Sequence, residues 1–142
     1  MDTSQTVTFP ARHDSLAAIC ELVTRAAESA GLDERGVYAV QLAVDEACSN
    51  IIQHAYGGEG RGDIECTCCP GDGELTVTLH DHGHPFDPSC VPVPNLQPTL
   101  DECTGGGLGL YFMRQLMDQV HFESMPGAGN VLTMVKRKDA AS

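Results

Sequence analysis

Apolar side chains recur along this chain at intervals that predict two helices after a short strand at residues 6–9. In the second helix the apolar positions step by three or four residues, as one face of an α-helix requires. They are Val37, Val40, Val44, Ala47, Ile51 and Ala55. Asp14 is expected to cap the first helix, Gly31 to end it near Ala30, and Asp33 to cap the second helix.

The rest of the chain shows strand patterns separated by breaks rich in glycine and proline. Residues 63–69 and 74–80 predict a β-hairpin, and residues 120–123 and 131–136 predict a second pair of strands. A third helix is expected between the two pairs, after Gly107. This order of elements favours an α+β sandwich with the helices on one face of a mixed, mostly antiparallel sheet.

One long segment, residues 86–104, carries four prolines and shows little periodicity. A loop of this length without secondary structure is usually functional or disordered in a compact domain, so we predict a lid. With 142 residues, the chain is expected to form one domain over residues 1–142.

The charge of the chain is strongly negative, with 20 acidic against 8 basic residues and a formal net charge of −12. Such a chain repels nucleic-acid backbones and anionic lipid surfaces, so direct binding to either is not expected. The sequence has no apolar stretch of 18 residues and no secretory leader pattern, and a cytoplasmic location is expected.

The chain has seven cysteines. Because the number is odd, they are expected to be reduced thiols. The cluster at Cys66, Cys68 and Cys69 lacks the paired spacing of a zinc site.

Glu46 and Asn50 are the first candidate site residues along the chain. They are four residues apart on the second predicted helix and therefore lie on one face, with His54 one turn further. The amide oxygen of an asparagine suits a hard cation such as Mg²⁺, and a carboxylate can orient or deprotonate a nucleophile. Taken alone, such a pair is more often a solvated helix face.

Two segments containing glycine add other chemistry. Asp81-His-Gly-His-Pro85 follows a predicted strand, where a fixed carboxylate can recognise the amine of adenine and Gly83 lets the backbone approach a ligand. Gly105-Gly-Gly-Leu-Gly109 opens a predicted helix, whose free N–H groups and dipole attract phosphate. The second segment fits neither the Walker nor the Rossmann pattern. Taken alone, the two segments are more often an ordinary turn and a flexible hinge.

In this order, Glu46-Ala-Cys-Ser-Asn50, Asp81-His-Gly-His-Pro85 and Gly105-Gly-Gly-Leu-Gly109 resemble the N, G1 and G2 boxes of the GHKL ATPase superfamily, which has the Bergerat fold. Within it, Asn50-Ile-Ile-Gln-His54-Ala-Tyr56 looks like the bacterial anti-sigma factor serine kinases. The likeness spans nearly the whole chain. One departure is Asn130, which stands where many relatives have threonine after the glycine that begins the last strand.

The resemblance implies a serine/threonine-protein kinase that uses ATP and Mg²⁺. By position, Asn50 would help to coordinate Mg²⁺, Glu46 would act as general base on the acceptor serine, and Asp81 would recognise the adenine amine. Gly83 and Pro85 would line the base pocket. The residues that would wrap the phosphates are Gly105, Gly106, Gly107, Leu108 and Gly109.

The resemblance also implies partners. Kinases of this family phosphorylate an anti-sigma factor antagonist protein on serine and alternate between that antagonist and a sigma factor, with ATP deciding which is kept. A homodimer is expected from the family. A sensor histidine kinase is disfavoured because only about one helix precedes Glu46, where a helical hairpin with the phosphoacceptor would be expected. The topoisomerase and chaperone relatives need further domains.

Positive charge is sparse where phosphoryl transfer would need it. No Lys or Arg occurs between Arg61 and Arg114, although a cation usually stabilises the charge that develops in such a transfer. The positive charge could come from Mg²⁺ together with the helix terminus at Gly105, from Arg12 elsewhere in the chain, or from His82 and His84. A non-catalytic, nucleotide-gated binding module of a partner-switching system is therefore the alternative function.

Overall fold

The computed structural model describes residues 4–84, 113–125 and 127–138. The predicted lid at residues 86–104, Pro85 and the glycine-rich segment at residues 105–109 lie outside the described residues. The strands are β1 Gln5–Pro10, β2 Asp63–Pro70, β3 Glu74–Asp81, β4 Gln119–Met125 and β5 Gly129–Arg137. The helices are α1 Leu16–Ser29 and α2 Glu34–Asn50. A short 3₁₀ turn His13–Ser15 precedes α1, a π turn Ile51–Ala55 extends α2, and residues 113–116 are helical.

The five strands form one sheet in the order β1-β2-β3-β5-β4, and each described pairing is antiparallel. The expected α+β class is confirmed. The mixed character expected of the sheet is not found among the described strands. The reason is topological: β3 and β4 run in the same direction, but β5 lies between them and is antiparallel to both.

The core lies between one face of this sheet and the two helices. In β3 the side chains of Leu75, Val77 and Leu79 are fully buried, whereas Thr76 and Thr78 on the other face are half-buried. This is the alternation of a strand whose one face is packed. The helices contribute core side chains that include Ile19, Val23, Val40 and Val44. The result is the two-layer arrangement that the sequence predicts.

The start of α1 differs from the prediction. The chain enters through the 3₁₀ turn, and the N-cap residue is Ser15, whose side chain makes no capping hydrogen bond. Asp14 lies inside the turn, and its carboxylate accepts from the Nε–H of Arg12 at 3.2 Å. The predicted cap at Asp14 is therefore wrong, because the extra turn moves the helix start beyond it.

The junction between α1 and α2 follows the prediction. The backbone N–H of Gly31 donates to the carbonyl oxygen of Glu28 at 3.0 Å and so closes the end of α1. The carboxylate of Asp33 accepts from the backbone N–H of Gly36 at 2.9 Å and so caps α2. Both predicted caps are confirmed.

The described cysteines are free thiols, and most of them behave as core residues. Cys66 and Cys68 lie buried on the helix-facing side of β2, with their sulfur atoms 4.0 Å apart. Burial, with a smaller contribution from the charge of Asp45, raises the pKa of Cys48 to about 12, so this thiol is protonated and packs as a small apolar group. In the part of the chain that the structure describes, no helix is both long and apolar enough to cross a membrane.

Candidate functional site

Polar side chains interrupt the apolar face of the sheet at the end where β3 stops. Asp81 of β3 lies opposite Asn130 of β5, and Asn130 lies opposite Ser124 of β4. Asp81 and Asn130 are each only 1% exposed. Two residues away from this row along each strand, Leu79 of β3 lies opposite Leu132 of β5, and both are buried core residues. A buried polar row beside an apolar core is typical of a ligand site, because such groups need hydrogen-bond partners.

The carboxyl group of Asp81 is held in one orientation. Its Oδ1 accepts from the backbone N–H of Gly83 at 2.8 Å and from Nδ2 of Asn130 at 2.8 Å. Oδ2 takes part in neither bond. Burial raises the pKa of Asp81, and the hydrogen bonds from Asn130 and Gly83 oppose that rise. The site therefore offers a fixed, dehydrated acceptor of the kind that distinguishes a ligand with an amine donor.

The segment after β3 lies against the end of the α2 extension. The backbone N–H of His84 donates to the carbonyl oxygen of Ala55 at 2.6 Å. A Cβ atom on Gly83 would lie 2.4 Å from that same oxygen, which is closer than real contacts allow. Glycine is therefore required at position 83 for this contact, which holds the segment after Asp81 against the end of the helix that carries Glu46 and Asn50.

The helix itself is irregular at this point. Its last turn is a π turn, in which the backbone N–H of Tyr56 donates to the carbonyl oxygen of Ile51, five residues earlier, at 3.0 Å. Single π turns inside helices often occur at functional sites. Asn50, the last residue before this turn, is 7% exposed. Glu46 lies about 6 Å earlier along the axis of α2 and is half-buried.

Tyr56 connects the helix end to two strands. Its hydroxyl donates to the carbonyl oxygen of Asp63 at 2.7 Å and accepts from the backbone N–H of His82 at 2.9 Å. Burial is the main cause of the raised pKa of Tyr56, so its hydroxyl stays protonated at neutral pH. The Tyr56 side chain thus joins the α2 extension to the start of β2 and the end of β3.

Of the predicted site residues, the structure describes Glu46, Asn50, Asp81 and Gly83, and it places the Asp81–Gly83 segment against the end of the helix that carries the other two. Pro85 and residues 105–109 lie outside the described residues, so their roles stay predictions. The sequence analysis did not name Tyr56 or Asn130 as site residues. For Asn130 there was a signal, because an asparagine continues the buried alternation of Leu132 and Met134 in the last strand.

The histidine kinase-like ATPase domain, as a family model, matches residues 9–136. This chain belongs to that family. The resemblance to an ATPase superfamily with the Bergerat fold is thereby confirmed, and use of a nucleotide follows from the family.

Two relatives are both named serine-protein kinase RsbW. The chain is 31% identical to the one from Bacillus velezensis, over 88% of this chain and 81% of that protein. It is 30% identical to the one from Halalkalibacterium halodurans, over 92% of this chain and 80% of that protein. The likeness thus extends over most of both chains and includes the segments that carry Glu46, Asn50 and Asp81.

Solved structures share the fold. A crystal structure of RsbU and RsbW domains from Mycobacterium tuberculosis matches with a TM-score of 0.66 at 16% identity, over 94% of this chain and 32% of that one. This chain therefore spans about a third of that protein. The catalytic domain of the histidine kinase ThkA matches with a TM-score of 0.54 at 13% identity, over 94% of this chain and 97% of that one. At these identities the comparison concerns the fold alone.

Proposed function

We propose that this chain is an ATP-dependent serine-protein kinase that phosphorylates an anti-sigma factor antagonist protein and can sequester a sigma factor. The observation that carries the proposal is the buried carboxylate of Asp81, held by Asn130 and Gly83 beside the end of the helix with Glu46 and Asn50. The names of the relatives support serine as the acceptor.

The adenine base would lie at the end of β3. Oδ2 of Asp81 is the acceptor for the amine of adenine, since Oδ1 already holds two protein donors. Gly83 lines the base pocket, and its lack of a side chain keeps the backbone against Ala55. Pro85 is expected to continue the same wall.

Mg²⁺ and the phosphates would lie along α2, beyond the base. The described residues hold no group of three or more His, Cys, Asp or Glu suited to a metal ion. Mg²⁺ usually keeps several waters and binds one or two protein groups together with substrate phosphates, so the single amide oxygen of Asn50 fits that donor set. When bound, Mg²⁺ neutralises charge on the phosphates. The backbone N–H groups of residues 105–109 are expected to hold the phosphates from the other side.

Glu46 is the proposed general base. Its carboxylate is half-buried on the same helix face as Asn50, so a serine of another protein can reach it. The carboxylate takes the proton from the serine hydroxyl as the serine oxygen bonds to the γ-phosphorus and the bond from that phosphorus to ADP breaks. Asn50, one turn further along the same helix face, would hold the Mg²⁺ that keeps the reacting phosphate near this carboxylate.

Transfer of labelled phosphate from ATP to a purified anti-sigma factor antagonist tests the proposal. Glu46→Gln is expected to slow transfer by about 10²- to 10⁴-fold, as loss of a general base does, while ADP binding stays unchanged. Asn50→Ala is expected to weaken binding of the nucleotide only when Mg²⁺ is present. Full transfer by Glu46→Gln, together with unchanged Mg²⁺-dependent binding by Asn50→Ala, would show that both roles are wrongly assigned.

A binding module without catalysis is the second candidate, and the distribution of positive charge favours it. No Lys or Arg occurs between Arg61 and Arg114, and Arg12 is paired with Asp14 at 3.2 Å. For such a module, ATP would change which partner is captured, but no label would reach the antagonist. The homodimer expected from the family is a further proposal, which sedimentation of the purified chain checks.

A further inference from the structure

Basic residues gather in a cleft at the end of the sheet where β5 stops. The cleft measures about 590 Å³ and lies between the start of α2, the end of β5 and the segment 115–118. The cations that line it are Arg35, Lys136, Arg137 and Lys138. They are four of the eight Lys and Arg residues in a chain whose formal net charge is −12. Half of the basic residues therefore line one cleft of an acidic molecule.

The two carboxylates that line the same cleft are engaged by backbone groups. Asp33 accepts from the backbone N–H of Gly36 at 2.9 Å, and Asp118 accepts from the backbone N–H of Arg137 at 2.6 Å. Each carboxylate thus has a structural partner in the chain, and neither forms an ion pair with a cation of the cleft among the described residues.

Three of the four cations have no carboxylate partner. Arg137 pairs with Glu74 at 2.9 Å. Within the part of the chain that the structure describes, Arg35, Lys136 and Lys138 form no ion pair. Like charges around one cleft repel one another, and a bound anion relieves that repulsion.

Lys136 is the least exposed of these three cations. It continues the buried alternation of Leu132 and Met134, so its side chain leaves β5 on the face that carries the helices. Its Nζ donates to the carbonyl oxygen of Leu116 at 3.0 Å. An ammonium group has three donors, so two remain for another acceptor. A cation that is partly withdrawn from water gains most from a charged partner.

The start of α2 adds to the positive potential of the cleft. Arg35 lies in the first turn of this helix, where unpaired backbone N–H groups and the positive end of the dipole favour an anion over a cation. The guanidinium of Arg35 and the helix end therefore act in the same direction, and both are stabilised by negative charge in the cleft.

The cleft is remote from the proposed nucleotide site. Asn50, near which the phosphates would lie, is about 25 Å from Asp33 along the axis of α2. Lys136 is likewise about 20 Å from Asn130 along β5. An anion in the cleft would therefore be a second ligand of the protein.

We propose that this cleft binds a small oxyanion with two or more negative charges, as oligophosphates and polycarboxylates carry. The donors are the guanidinium of Arg35 and the ammonium groups of Lys136 and Lys138. The volume of about 590 Å³ lies in the range of small-molecule sites and leaves room for more than one phosphate or carboxylate group. This inference does not depend on the proposed nucleotide function.

Titration of the isotopically labelled chain with tripolyphosphate, without Mg²⁺ and with excess ADP to occupy the nucleotide site, tests the proposal. The backbone amide resonances of Gly36 and Ala39, which line the cleft, are expected to shift with a dissociation constant on the order of 1 mM or lower. Citrate in place of tripolyphosphate shows whether carboxylates serve as well as phosphates. If neither anion shifted these resonances, the proposal would be overturned. The response of Gly83 to ADP alone reports on the nucleotide function, so the two failures are distinguishable.

Arg35→Gln and Lys136→Gln remove charge from the cleft and keep a polar side chain. Each is expected to weaken binding of the anion by about two- to fivefold, and the double variant by about tenfold, because single exposed ion pairs are weak. Arg35→Lys, which keeps the charge, should retain most of the affinity. ADP affinity should not change in any of these variants.

The matched control is Arg25→Gln. It removes the same charge from an exposed arginine of α1 that is paired with Glu21 and does not line the cleft. The control should bind tripolyphosphate as the unmodified chain does, and urea unfolding shows that each variant is folded. Equal losses in Arg25→Gln and Arg35→Gln would mean that the anion responds only to the net charge of the chain, and the assignment of a site to this cleft would be wrong.

Discussion

Helix α2 begins and ends in different ways. At its start the carboxylate of Asp33 accepts from the N–H of Gly36, three residues away, at 2.9 Å. At its end the regular hydrogen bonds give way to a π turn, and the carbonyl oxygen of Ala55 accepts from His84 after β3. The first end obeys local rules for helices, and the second depends on residues that are distant in the sequence.

The comparison teaches where the site obtains its geometry. The hydroxyl of Tyr56 and the backbone of His82, 26 residues apart in sequence, are joined by a hydrogen bond at the second end. Such contacts place Asp81 relative to Asn50, whereas the cap at Asp33 only stabilises the helix. Changes at the second end should therefore alter both stability and nucleotide binding, and changes at the first end should alter stability alone.

Asp81→Asn should have the largest effect on binding. The amide can still accept from Asn130 and Gly83, but the charge is lost, and its NH₂ would face the amine of adenine. We expect the affinity for ADP to fall by about a hundredfold, the size of a hydrogen bond to a charged group. Isothermal titration measures the change. Affinity within threefold of the unmodified chain would contradict the role of this carboxylate.

The same substitution should change how stability depends on pH. Because burial raises the pKa of Asp81 in the folded protein, its contribution to stability is fully present below the ordinary aspartate pKa of about 4 and is lost as the pH rises through the raised value. Asp81→Asn does not titrate. The stability of the ligand-free variant relative to the unmodified chain should therefore increase as the pH rises from about 4 through the raised pKa of Asp81, as urea unfolding at each pH would show.

Gly83→Ala should reduce both the stability of the protein and its binding of nucleotide. The new Cβ would lie 2.4 Å from the carbonyl oxygen of Ala55, and backbone must shift to relieve the clash. We expect a loss of about 1–3 kcal/mol in the free energy of unfolding, as for other overpacked sites, together with weaker binding of ADP. The matched control is Gly71→Ala, where a Cβ would meet its nearest atom at 3.4 Å. Equal stability losses in the two variants would show that the contact with Ala55 is unimportant.

Tyr56→Phe should have a smaller effect. The substitution removes the hydroxyl that joins Asp63 and His82, and it leaves a donor and an acceptor without their partner. We expect about 1–2 kcal/mol of lost stability and a modest decrease in ADP affinity. Tyr38→Phe is the control, since Tyr38 is 61% exposed and its loss of a hydroxyl should cost nothing measurable in chemical unfolding. If Tyr56→Phe changed neither the free energy of unfolding nor the affinity for ADP, the Tyr56 hydroxyl would play no part in holding the second end of α2.

These differences also show which features could be predicted from the sequence. The core-facing alternation in β3 and the caps at Gly31 and Asp33 involve residues close in sequence, and local patterns predict them. The cap at Asp14 was wrong because Ser15 is reached only after an extra 3₁₀ turn, which apolar spacing does not indicate.

The π turn and the pairing of Asp81 with Asn130 could not be predicted in the same way. Ile51, Ile52 and Ala55 are buried in the π turn and would also suit a regular helix, so the apolar pattern does not separate the two. The hydrogen bond from Asn130 to Asp81 joins residues 49 apart, and it depends on the exact strand order and register. The motif pattern indicated the chemistry of Asp81, but only the fold identifies the group that orients it.

Asp33→Ala should have the smallest effect, and it tests most directly whether the two ends of α2 have separate roles. Loss of a capping carboxylate typically costs about 1 kcal/mol of stability, and the capped N–H of Gly36 belongs to the end of α2 away from Asp81. ADP affinity should stay unchanged, and Asp33→Asn, which keeps a capping oxygen, should recover most of the stability. Urea unfolding and calorimetric titration of the three proteins check both expectations. If Asp33→Ala weakened ADP binding as much as Tyr56→Phe does, the two ends of α2 would be coupled, and the division between a structural end and a functional end would be wrong.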